Sequence, residues 1–313
     1  MAEKLVGAGQ QFNTVLAAVN SSSDGDTVTI TDSGTYAERL DMISLTGITL
    51  RSTGNDPDAF PVVKLYLDSN TLNHINNWVF SSLIFEPNGD SRFTFNLQNI
   101  SFNRCVFRKY DYLFGCDYTN NGVKKIESCL FYDISDYVFF ARKNFHANAL
   151  LVKNCTFHNC ANIFKDDFWN VEAAKEPKVN NCVFTACPNI ASQVEDSAPP
   201  YGRRSGLFQQ FKYCTFSNDP QTANAKFGES CLVNKNESDI YSRSGSGTLP
   251  SHFKITDNPS VYKSGSGSLG YSPDLGGFTR TSPYDRGAWE CDGQPSIVET
   301  KMILPYINYQ GAF

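Results

Sequence analysis

The chain has 313 residues, with 27 Lys and Arg against 32 Asp and Glu, a formal charge of −5, and no basic run. Non-specific nucleic-acid binding draws on clustered cations that displace phosphate counterions, so that class is excluded. No apolar run approaches the roughly 18 residues that a membrane-crossing helix needs, which predicts no membrane insertion.

In chain order, residues 1–26 are predicted to form an N-terminal cap. Within GQQFNTVLAAVN (9–20), Phe12, Val15, Leu16 and Val19 share one helical face, as a short capping helix requires. The same segment has no uninterrupted apolar stretch and no lipid-anchor cysteine, so no secretion signal is expected. Ten cysteines in such a chain are expected to be reduced and buried. The 24 Phe and 15 Tyr against 3 Met suit a stacked β core better than a helical bundle.

Residues 27–220 are predicted to be regular coils. TVTI (27–30), GITLRS (47–52) and VVKLYL (62–67) supply the first strands. A repeat then becomes visible in ISFNRCVF, KIESCLF, LVKNCTF, KVNNCVF and QFKYCTF. These are centred on Cys105, Cys129, Cys155, Cys182 and Cys214, at spacings of 24, 26, 27 and 32 residues. Leu83 and Phe85 hold the same two positions in WVFSSLIF. Such spacing fits solenoid coils lengthened by loop insertions.

Cys and Phe lie two apart and face the same side of a strand. The cysteines therefore form one internal stack, and Phe107, Phe131, Phe157, Phe184 and Phe216 form another. Strict alternation would point Lys153 inward, so a bend is expected just before each cysteine, where Ser128, Asn154 and Asn181 sit. Tyr110, Ile134, Cys160 and Cys187 follow three residues after each Phe. Another short apolar strand comes next: DYLFG (111–115), DYVFF (136–140), ANIFK (161–165) and PNIAS (188–192). Strands that return in the same direction once per coil make an all-β fold, a single-stranded parallel β-helix.

Residues 221–291 read as irregular C-terminal coils with Ser/Gly-rich loops, YSRSGSGTLPS and YKSGSGSLGYSPDLGG. Residues 292–313 read as an extended, fairly apolar C-terminal arm. Its Ile303, Leu304, Pro305, Tyr306, Tyr309 and Phe313 are the expected partner-binding residues.

Two passages resemble known right-handed β-helix families. QFNTVLAAVNSSSDGDTVTITDSGTYAERLDM, with GITLRS, is similar to the opening of pectinesterase and pectate-lyase-like helices. SPDLGGFTRTSPYDRGAWECD resembles the closing coil of many such proteins, with its Asp-x-Gly-Ala-x-Glu element. The resemblance implies a right-handed winding. It specifies chemistry poorly, because this fold hosts lyases, hydrolases, esterases, adhesins and phage tailspikes.

KYDYLFG (109–115) resembles the Asp-Phe-Ile-Phe-Gly stretch of pectinesterases, whose Asp is the nucleophile; here that would be Asp111. The family's Gly-Arg-Pro-Trp element is absent, and the motif recurs one unit later with Asp136. A motif that recurs in each coil is better explained by packing than by chemistry. The polygalacturonase Gly-His-Gly and Arg-Ile-Lys elements are absent too, and adjacent carboxylates on a strand face opposite ways. Lyases of this fold use Lys or Arg as base, often beside Ca²⁺. Arg142, Lys143, Asp166 and Asp167 supply the enzymatic alternative, against a reading as a solvated, ion-paired loop. No Cys-x-x-Cys occurs and only four His are present, so no metal or cofactor is expected outside the lyase alternative.

The resulting expectation is a non-catalytic structural protein of a virus particle, a phage capsid decoration or tail component. Its partners would be other virion proteins, with surface polysaccharide as a further candidate, and family analogy implies a homotrimer. The alternatives are a polysaccharide-degrading enzyme, lyase before hydrolase or esterase, as in a tailspike, and a bacterial glycan-binding or adhesive β-helix.

Overall fold

The computed structural model describes residues 1–39, 45–66, 76–89, 100–116, 125–141, 150–165, 177–192, 208–221, 226–242, 249–261, 263–266, 273–280 and 284–289. Within them the chain winds into a parallel β-helix with three sheets. The first sheet contains β1 (Glu3–Val6), β2 (Thr27–Ile30), β4 (Thr49–Ser52), β6 (Val79–Ser81) and β8 (Ser101–Asn103). It continues through β11 (Lys125–Glu127), β14 (Leu151–Lys153), β17 (Lys178–Asn180) and β20 (Phe211–Lys212).

The second sheet holds β3 (Thr35–Arg39), β5 (Val62–Tyr66), β7 (Ile84–Phe85) and β9 (Val106–Arg108). Its later rungs are β12 (Leu130–Ile134), β15 (Thr156–Cys160), β18 (Val183–Thr185) and β21 (Thr215–Phe216). The third sheet holds β10 (Tyr112–Cys116), β13 (Tyr137–Ala141), β16 (Asn162–Lys165) and β19 (Asn189–Ser192). No helix among the described residues is long and apolar enough to cross a membrane.

The corner between the first two sheets explains the repeat. Ser82, Arg104, Ser128, Asn154, Asn181 and Tyr213, each just before the Cys position, adopt φ between 51° and 59°. This left-handed conformation turns the chain and rephases alternation, so that Lys153 faces outward and Cys155 inward. Each stacked thiol then donates to the carbonyl two residues back, as Cys129 does to Glu127 (3.1 Å) and Cys182 to Asn180 (3.2 Å). Asn181 reaches Asn154 of the rung before, Nδ2 to Oδ1 at 3.3 Å.

The core runs the length of this stack. Phe85, Phe107, Phe131, Phe157, Phe184 and Phe216 lie ring over ring, with centroids 4.7–4.9 Å apart and planes within 8°. Cys105, Cys129, Cys155, Cys182 and Cys214 are fully buried free thiols beside them. The stack extends one step past Cys214. Cys231 follows Ser230, again at positive φ (55°), and Leu232 exchanges backbone hydrogen bonds with Cys214 and Phe216. Val233 takes the place of the expected Phe.

Both ends depart from expectation. The first residues are not cap alone: Glu3–Val6 pairs in register with Thr27–Ile30 as a rung. The helix α1 covers only Val15–Asn20, since Thr14 Oγ1 accepts from Ala17 N–H and ends the extended segment there. The Glu38 carboxylate accepts from the Val15 and Leu16 amides, and Val15, Ala18 and Val19 are buried.

The described part of residues 237–289 adds no rung to the stack. It runs back as a strap over the outward face of the second sheet. Ile84, Val106, Leu130 and Val183 on that face form a second core with Ile240, Phe253, Ile255, Val261, Leu275 and Trp289. Burying this apolar row outweighs the extension of a stack whose next strands would lack apolar alternation. Where the row carries threonine instead, the strap bonds to it: Ala288 N–H donates to Thr156 Oγ1 (2.9 Å), and Thr215 Oγ1 donates to Ser260 O (2.6 Å).

The passage that resembles a closing coil lies in this strap. Gly287, at φ 97°, approaches so closely that a Cβ there would sit 2.8 Å from Thr156 Oγ1. Arg286 lies beside it and donates to Cys214 O (2.7 Å) and Ser264 O (2.8 Å). Further back along the rod, Arg104 Nε donates to Leu275 O (3.3 Å), and Ser251 N–H donates to Asp58 Oδ1 (2.8 Å).

Candidate functional site

Asp111 immediately precedes β10 and is exposed. Its Oδ1 accepts from Ser135 Oγ at 2.6 Å, and its carbonyl accepts from the Asp136 and Tyr137 amides (2.8 and 3.1 Å). Asp136 holds the equivalent place before β13, and Ala161 holds it before β16. One rung on, the Asn162 side chain donates to Asp136 O (2.6 Å). Asp111 is thus a corner residue in a column of corner residues, bonded along the rod axis.

Arg142, Lys143, Asp166 and Asp167 lie outside the described residues, as do Ile303, Leu304, Pro305, Tyr306, Tyr309 and Phe313. The strands leading to the first four are described. β13 and β16 pair with Phe140 opposite Lys165, so the chain leaves neighbouring rungs of the third sheet at the same level.

Three polar clusters occur among the described residues. In the first, the Glu86 carboxylate takes Arg108 Nε (2.6 Å), Lys109 Nζ (2.9 Å) and Lys64 Nζ (3.5 Å), while Arg108 also donates to Tyr132 Oη (3.0 Å). Burial opposes ionisation of Glu86, but Lys109 and Arg108 outweigh it and hold the carboxyl below its usual range. With three cations held on one largely buried carboxylate, the charge is already matched within the rod. This is a structural knot.

The second cluster is buried on the outer face of the first sheet, where Glu127 is opposite Lys153. The two form an ion pair, and Lys125 adds a contact to Glu127 at 2.5 Å. Burial, with Lys125 and Arg280 nearby, pushes the Lys153 ammonium down to about 8.

The third cluster is open to solvent. At the C-terminal end of the first sheet, Lys178, Asn180, Gln210, Lys212, Tyr213, Glu229 and Ser266 line a cleft of about 290 Å³. β17 and β20 place Asn180 opposite Lys212. The Glu229 carboxylate accepts from the Tyr213 hydroxyl, which raises the phenol above its ordinary value. Sequence reasoning missed this cleft. Its signal was present in KVNNCVF and QFKYCTF, where alternation sends two lysines outward on successive rungs.

No family model and no curated protein matches the chain. Among solved structures it is similar to the pectin methylesterase of Aspergillus niger, at 13% identity over 79% of this chain and 90% of that one, with a TM-score of 0.33. It is also similar to the pectin methylesterase PemA of Erwinia chrysanthemi, at 13% identity over 74% and 77%, with a TM-score of 0.23. At these values the likeness assigns no residue of the chain a role.

Proposed function

We propose that the protein is a non-catalytic structural component of a virus particle, a capsid decoration or tail protein, held to other virion proteins through its C-terminal region. The observation that carries the non-catalytic part is the place of Asp111. The residue that matches a catalytic motif is a corner of the repeat, bonded to Ser135 and capping the next rung through its carbonyl. A rod with one face sealed by its own strap suits a structural role. The strap brings the chain to Trp289 on the flank of the rod, next to the Thr156–Ala288 contact, rather than at its tip. An apolar arm that follows from there can lie against a neighbouring subunit.

Removal of residues 292–313 tests the reading. Circular dichroism of the truncated protein should be unchanged, and its occupancy on purified particles should fall to background. Equal occupancy of truncated and full-length protein would sink the proposal.

The second reading is a polysaccharide lyase, favoured by the shared level at which β13 and β16 deliver the chain toward Arg142, Lys143, Asp166 and Asp167. New unsaturated ends on a uronate-rich polysaccharide, lost in Lys143→Ala, would put this reading first.

A further inference from the structure

The cleft at the end of the first sheet brings two exposed lysines to one wall. Lys64, Lys109, Lys125 and Lys153 each contact a carboxylate. Lys178 and Lys212 are exposed and have no ion-pair partner among the described residues. Between them Asn180 is only 8% exposed, and its carboxamide lines the cleft with no hydrogen-bond partner among the described residues. At the wall of an open cleft, an amide with no protein partner offers a donor and an acceptor to a ligand's hydroxyls in place of water.

The opposite wall is fixed in place. Gly265 N–H donates to Tyr284 O (2.8 Å) and Ser266 N–H donates to Asn181 Oδ1 (2.9 Å). A Cβ on Gly265 would lie 2.7 Å from Tyr284 O, so the segment reaches this position only as glycine.

We propose that this cleft binds one sugar unit that bears a single negative charge, a carboxylate or a sulfate half-ester. The charge follows from the lining: two ammonium groups and the Glu229 carboxylate leave one positive charge to be matched. A dianionic phosphate monoester would meet Glu229 with its second charge. The hydroxyls follow from the Asn180 carboxamide, which offers both a donor and an acceptor at the cleft wall. The size, about 290 Å³, lies at the lower limit of small-ligand sites and fits a single ring. The proposal stands apart from the virion reading, since a structural rod and an enzyme could each carry such a subsite.

The test is calorimetric titration of the full chain with four probes: methyl glucuronide, N-acetylglucosamine 6-sulfate, methyl glucoside and inorganic sulfate. Saturable binding of at least one charged sugar is expected, and which of the two binds identifies the anionic group. Methyl glucoside and inorganic sulfate should each bind about tenfold more weakly or not at all, because each lacks half of the recognised chemistry. Lys178→Gln and Lys212→Gln should each weaken binding about tenfold, and Lys4→Gln at the far end of the same sheet should leave it within about twofold. The proposal is overturned if neither charged sugar binds, if methyl glucoside or inorganic sulfate binds as tightly as they do, or if both lysine variants bind as the parent does.

Discussion

The rungs and the strap are held by different kinds of contact. In the rungs each residue meets its own counterpart one coil away: phenylalanine on phenylalanine, thiol beside thiol, αL corner over αL corner. In the strap no residue meets a counterpart. Single arginines and backbone amides reach across the chain to fixed points, Arg104 to Leu275 and Ser251 to Asp58. A repeating contact spreads its loss over neighbours on both sides, whereas a one-off contact releases only the segment it ties down.

The largest effect is therefore expected in the middle of the stack. Phe131 is fully buried between Phe107 (4.9 Å) and Phe157 (4.7 Å). Phe131→Ala should cost about 3–5 kcal/mol, read as a shift of the whole cooperative transition in urea. Arg286→Met probes the other kind of contact. It removes the donors to Cys214 O, Ser264 O and Thr215 Oγ1, and the expected loss is about 2–3 kcal/mol. That loss should show as faster proteolysis within residues 237–289 while the β spectrum and rung protection stay intact. If strap and rungs instead unfold together at one lower midpoint, the two regions are a single cooperative unit and the contrast is wrong.

Acid should separate the N-terminal rungs from the strap with a smaller effect. Glu3 is held below its usual range by Thr29 and Arg51, Asp26 by the Ala2 and Ser23 amides, and Asp32 by the Ala8 amide, the Tyr36 hydroxyl and the Gly34 amide. A carboxyl whose folded value is lowered contributes stability above its unfolded value, near pH 4, and loses it as pH falls through the folded value. The strap is tied down in large part by arginine, which keeps its charge throughout that range. Amides of β1 and β2 should thus lose protection, measured against the intrinsic exchange rate at each pH, between pH 6 and pH 3, ahead of those in 284–289. Earlier loss of the strap amides would place the acid-sensitive contacts elsewhere.

The Cys–Phe repeat made the winding, the inward stacks and the bend before each cysteine legible, because each is a local pattern repeated five times. Cys231 was not, since its spacing from Cys214 is shorter and Val233 stands where Phe is expected. The strap was hidden for a different reason. Its apolar residues, from Ile240 to Trp289, are scattered among Ser and Gly with no period. Yet half of the signal was on the page. Ile84, Val106, Leu130 and Val183 lie between the two inward positions and so point outward, and an apolar outward row means that something covers it. The cleft was harder to see because Asn180 and Lys212 are brought to Ser266 only by the strap's return.

The smallest effect is expected at the residue most open to a catalytic reading. Asp111 is exposed and bonds Ser135 along the rod axis, just as Asp133 accepts from Asn159 (2.7 Å) on the adjoining corner. If it is a corner like the others, Asp111→Asn should lower stability by about 1 kcal/mol or less. Asp136→Asn, one rung away, should match it. Neither should alter any activity, because a side chain engaged with its neighbour in the rod acts on the rod. A methyl-esterified uronan supplies the decisive comparison. Methanol release by the parent protein that persists in Asp136→Asn and vanishes in Asp111→Asn would single out one corner from an otherwise equivalent column. The rung repeat would then be the scaffold of a nucleophile, and the non-catalytic reading would fall.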